Sequence, residues 1–136
     1  FALLLALRTV QHLKRSHTEV KVLPKFKSEE DLDFAKRLFI KSLVDYEDNQ
    51  AVVDRYSKNW DVERVVFMDS LIISIAIAEL TQFDSIPVKV TLDEWIDIAK
   101  YYSSPTSSNF VNGVLDKVVA EFTEQGLIKK SGRGLL

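Results

Sequence analysis

Between Val62 and Gln82 the chain runs for about twenty residues without a glycine or a proline, and its side chains are apolar nearly all round. Val65, Val66, Met68, Leu71, Ile72, Ile75, Ala76, Ile77 and Leu80 leave no wide polar face. A helix with this pattern is stable only when neighbours cover it on every side, so it predicts a central, buried element. The β-branched residues Ile72, Ile73, Ile75 and Ile77 would also suit a strand. Length decides for helix, because strands rarely run past eight residues.

The flanking segments repeat the helical theme. The whole chain of 136 residues has only four glycines and three prolines, so it is poor in turns. Residues 1–15 place Leu3, Leu4, Leu7, Val10 and Leu13 at helical spacing. Residues 16–27 read as a basic, extended linker around Pro24. Ser28 followed by Asp31 is a capping-box pattern that opens a second helix, with Leu32, Ala35, Leu38, Phe39, Leu43 and Val44 as its inner face. A break at Glu47–Asn49 should precede a short helix through Val52, Val53 and Tyr56. Asp61 can cap the central helix, and Thr91 with Glu94 can cap another carrying Leu92, Trp95, Ile96, Ile98 and Ala99 inward. After the serine-rich break SSPTSS, Ser107 or Ser108 can start a last helix that runs to Gln125 and stops at Gly126. The expected fold class is all-α, a compact helical bundle.

Charge and composition narrow the chemistry. Cysteine is absent, which removes thiolate zinc sites and cysteine nucleophiles and suits a reducing, cytoplasmic setting. His12 and His17 are five apart, on different faces of a helix, which argues against a metal site. The chain has no glycine-rich phosphate loop and no nucleophile motif. We therefore expect no enzyme and no cofactor. The apolar run at residues 1–7 lacks the basic start and cleavage site of a signal peptide, and Phe1 reads as a cut point in a longer chain. Residues 1–27 carry six bases against the single acid Glu19, and the last eight residues carry Lys129, Lys130 and Arg133. The middle is net acidic, so strong RNA binding would need a partner. The expected domains are an N-terminal helix and linker at 1–27, a helical domain at 28–128 and a basic tail at 129–136.

Three ordered segments carry a family resemblance. They are Asp69–Leu80 (DSLIISIAIAEL), Ile86–Lys100 (IPVKVTLDEWIDIAK) and Asn109–Lys117 (NFVNGVLDK). Together they resemble the C-terminal part of the NusB family of transcription antitermination factors. The resemblance covers roughly residues 30–120, and residues 1–27 carry no matching motif. It implies an all-helical, non-enzymatic protein. Such a protein binds the boxA element of ribosomal RNA operons together with the ribosomal protein NusE and assists RNA polymerase. The family's arginine-rich first helix has no counterpart pattern here, and Thr106, Asn109, Asp93 and Ser74 stand where the family often has other polar or basic residues.

The resemblance also nominates residues. Phe110 is either a platform for an unpaired base or a core aromatic. Asn112 is a candidate for a loop carbonyl or a base edge, and Gly113 for close helix packing. Lys100, Thr106, Ser107 and Asn109 complete the expected RNA side. Lys89 and Lys117 are weaker phosphate candidates, and the Lys14–Lys27 run a better one. Glu63 and Asp69 are expected on the protein-partner side, and Trp60 and Trp95 as core or half-core anchors. Alternatives are an RNA-recognition domain of a ribosomal RNA methyltransferase and a helical protein-interaction module without an RNA role.

Overall fold

The computed structural model describes residues 2–11, 13, 26–57, 67–104 and 106–131. Among these there are six α-helices and no strand: α1 (Ala2–Gln11), α2 (Glu29–Val44), α3 (Tyr46–Ser57), α4 (Phe67–Gln82), α5 (Val88–Tyr102) and α6 (Ser107–Glu124). The chain forms two compact units, Phe1–Ala35 and Lys36–Leu136.

The first unit holds α1 and the opening of α2. The capping box expected there is present. Ser28 N donates to Asp31 Oδ2 at 3.1 Å, and Asp31 N donates to Ser28 Oγ at 3.2 Å. Glu29, Glu30 and Asp31 add negative charge where the helix dipole favours it.

The second unit is built around α4, which contacts α3, α5 and α6, while α6 also meets α3 and α5. Ten of the sixteen residues of α4 are buried. Ile72, Ile73, Ala76, Ile77 and Leu80 pack with Val53, Ala99, Phe110, Val111, Val114, Leu115, Val118, Phe122 and Ile128 in one core. Met68, Leu71 and Ile75 form a stripe that is only half-buried, so α4 is covered on most of its circumference and not on every side as its missing polar face predicted.

Polar side chains lock α3 onto α4. Buried Asn49 donates from Nδ2 to the Ser74 carbonyl at 3.1 Å, and Ser70 Oγ donates to Gln50 Oε1. At the far end, α6 closes with paired bonds from Leu127 N to Phe122 O (2.8 Å) and Gly126 N to Thr123 O (3.1 Å). Gly126 has φ +68°, the left-handed conformation this closure needs. Beyond it, Ile128 enters the core, Lys130 Nζ donates to the Phe83 carbonyl at 2.9 Å, and Ser131 N donates to Asp84 O at 2.9 Å.

Several expectations need correction. The second and third helices are parted by Asp45 alone, and Glu47–Asn49 are helical. Phe39, Leu43 and Val44, expected inside, are exposed, while Leu38 on the same helix is buried. The fifth helix begins at Val88, after Pro87, and not at Thr91. Proline needs no N–H partner, so it suits a helix start, and Thr91 one turn on is buried with its hydroxyl unbonded. Ser107 and Ser108 are already helical and Thr106 precedes them, so neither is the cap residue. Asp61, Trp60, Glu63, His12, His17 and the Lys14–Lys25 run lie outside the described residues, as does the expected start of the central helix at Val62.

Candidate nucleic-acid interface

The expected RNA side lies where α5 ends and α6 begins. A buried acid organises it. Asp69, in the first turn of α4, is 4% exposed. Its Oδ1 accepts from Ser103 Oγ and its Oδ2 accepts from Ser107 Oγ at 2.8 Å. Ser107 Oγ in turn accepts from Ser104 N at 3.0 Å, and lies 2.7 Å from Ser104 Oγ. Three helix ends are thereby tied to one carboxylate. A carboxylate can be buried when its oxygens are occupied by donors in this way.

The rim of this junction is exposed and polar. Lys100, Thr106 and Asn109 face solvent. Lys100 Nζ lies 2.7 Å from Asp97 Oδ1, and that hydrogen bond holds the ammonium pKa above its ordinary value. Asn112 is exposed one turn into α6, where its Nδ2 donates to Asp116 Oδ2 at 3.2 Å. No acid stands in the first turn of α6, so the positive end of that helix is not neutralised from within. Tyr101 and Tyr102, at the last turn of α5, are 84% and 67% exposed. They were not among the sequence candidates. Their signal was a pair of aromatic residues beside a serine-rich turn.

Other candidates lie deeper or elsewhere. Phe110 is 6% exposed and belongs to the core. Ser107 is almost wholly buried. Both oxygens of Asp69 are taken within the chain, so its carboxylate is turned inward. Lys117 is exposed on α6, its ammonium 5.9 Å from the Tyr56 ring centroid. Lys89 is exposed at the start of α5. Trp95 is half-buried and donates from Nε1 to the buried Glu79 at 3.0 Å.

A second polar cluster joins α3 to α6. Arg55 Nη2 lies 2.8 and 3.0 Å from the two oxygens of Glu121, and Tyr56 Oη donates to Oε2 of the same carboxylate. The Tyr56 hydrogen bond, with further donors at Gln125 and Arg55, holds the Glu121 pKa below the ordinary value. The same bond raises the Tyr56 pKa. Among the described residues no three His, Asp or Glu side chains gather as metal ligands would. No described helix is long and apolar enough to cross a membrane.

The chain is similar to proteins of known family. The model of the NusB family matches residues 3–120. That match takes in most of α1, beyond the three segments that carry the resemblance. A protein from Salinibacter ruber called transcription antitermination protein NusB is 39% identical over 104 residues, 76% of this chain and 65% of that protein. One of the same name from Chloroherpeton thalassium is 38% identical over 76% of this chain and 49% of its own length. A third, from Dictyoglomus thermophilum, is 37% identical over 71% of this chain and 67% of its own. The chain thus spans about half to two thirds of these relatives. The solved structure of T. maritima NusB superposes with a TM-score of 0.64 at 30% identity, over 74% of this chain and 70% of that one. Its all-helical core, the three ordered motifs and these likenesses agree: the chain belongs to the NusB family.

Proposed function

We propose that this protein is a transcription antitermination factor that binds single-stranded, boxA-type RNA of ribosomal RNA operons together with a NusE-like ribosomal protein, and reaches RNA polymerase through that complex. Its action is positioning, without catalysis. The observation that carries the reading is the Asp69 junction, which holds a polar, acid-free turn rigidly between α5 and α6. A preorganised surface loses little entropy when RNA settles on it. Lys100, Thr106, Asn109 and Asn112 would make the contacts. Ser107 and Phe110, both buried, would hold the surface from beneath. Asp69 would serve the partner side indirectly, by fixing the turn. Glu63 and the basic residues before Ser28 complete the proposal from the sequence. The antitermination names of the relatives support this reading over a methyltransferase recognition domain.

The net acidic middle of the chain explains why a partner is needed. Affinity for RNA comes largely from neutralised phosphates, and this body offers few. The test is a titration of a boxA-like single strand at two salt concentrations, with and without the ribosomal protein, using this chain and the protein at its full natural length. Binding should weaken with salt and tighten with the partner. Lys100→Ala should lower the salt slope by about one if Lys100 touches a phosphate. Absence of binding by the full-length protein with the partner present would sink the reading.

A further inference from the structure

The sequence leaves Phe110 open between a stacking platform and a core aromatic, and its burial favours the core. Phe110 is 6% exposed and closes α6 onto the core. An inserted base would have to displace that packing. Two other rings stand at the same junction and are open. Tyr101 is 84% and Tyr102 67% exposed on the last turn of α5. Consecutive helical residues point about a quarter-turn apart, so the two rings present separate faces.

The backbone that carries them is clamped. Ser103 N donates to the Ala99 carbonyl at 3.0 Å, closing the last turn of α5. The Ser103 side chain, immediately after Tyr102, is held by the buried Asp69 carboxylate. Tyrosine has only two side-chain torsions, so a ring on a fixed helix end loses little freedom on binding. Charge agrees: residues 100–109, KYYSSPTSSN, contain one base and no acid. Hydroxyls and an amide follow along the chain at Ser104, Thr106 and Asn109. The nearest acid on α5, Asp97 one turn before Tyr101, is paired with Lys100 at 2.7 Å. Aromatic faces beside short polar donors and acceptors suit unpaired bases better than a folded apolar partner.

We propose that Tyr101 and Tyr102 form the stacking surface for unpaired bases of the bound RNA, and that Phe110 only supports it from the core. This assignment rests on the RNA-binding reading above. The test compares the full chain carrying Tyr101→Ala with Tyr102→Ala, and Tyr101→Phe with Tyr102→Phe. Each is titrated with a short boxA-like single strand in the presence of the ribosomal protein. Because both rings are exposed, unfolding midpoints should match wild type. The Ala pair should bind about 5- to 100-fold more weakly. The Phe pair should stay within about twofold, since stacking uses the ring and not the hydroxyl. The salt slope should not change, because no phosphate contact is removed. Equal binding by wild type and the Ala pair would overturn the assignment. So would an equal loss in the Phe pair, or weaker capture of the ribosomal protein when RNA is absent. If wild type binds no RNA at all, the functional reading fails first and takes the assignment with it.

Discussion

Asp69 and Glu121 are both acids on helices, yet their surroundings give them different work. Asp69 is buried and holds two serine hydroxyls. Replacing it with Ala leaves Ser103 without its carboxylate acceptor and Ser107 with only its serine neighbours. Unfolding in urea should show a loss of about 1–3 kcal/mol, the usual cost of stranding a buried donor. Hydrogen exchange at Ser104 and Ser107 should quicken, and Asp69→Asn should lose less. Glu121 takes donors from Arg55, Tyr56 and Gln125 near the surface. Its pKa is lower in the fold than in the unfolded chain, chiefly through the Tyr56 bond. Its stabilising contribution is therefore complete above the usual glutamate range and fades as pH falls through and below it. Glu121→Gln should flatten that part of the urea midpoint plotted against pH between about pH 7 and about pH 3. An unchanged profile would mean the cluster adds nothing.

Helix ends show where local signals suffice. The Ser28–Asp31 box and the Gly126 stop follow from short-range geometry, and both are present. Gly126 has φ +68° and nothing within 4 Å of an added Cβ. Gly126→Ala should therefore cost about 1 kcal/mol through backbone strain alone, visible as a lower urea midpoint with an unchanged slope. A much larger loss would mean that the chain end rearranges. The Thr91–Glu94 pattern misled because Pro87 can open a helix without any side-chain cap, which moves the start one turn earlier. Phe39, Leu43 and Val44 misled for a different reason. Periodicity marks an apolar stripe, but it does not say that a neighbour covers the stripe within the described residues.

In the molecule as a whole, α4 carries the second unit. Leu115 of α6 is fully buried in the core around it. Leu115→Ala should cost about 2–5 kcal/mol, a large share of the roughly 5–15 kcal/mol that holds a domain together. Thermal unfolding would read this as a marked drop in Tm, and a small drop would mean the site collapses around the missing atoms. The all-helical class, the central place of α4 and the family membership were legible in one dimension, because length, apolar periodicity and a contiguous motif are local properties of the chain. The site was legible only in part. The turn before α6 could be named from residues 100–109, but the carboxylate beneath it stands 34 residues before Ser103 and 38 before Ser107. An acid in a first turn looks like a dipole complement until packing brings distant hydroxyls to it. The same holds for Phe110 and the tyrosines: an aromatic side chain reads alike whether it ends in the core or in water. Only the way α4, α5 and α6 close on one another buries the one ring and leaves Tyr101 and Tyr102 open.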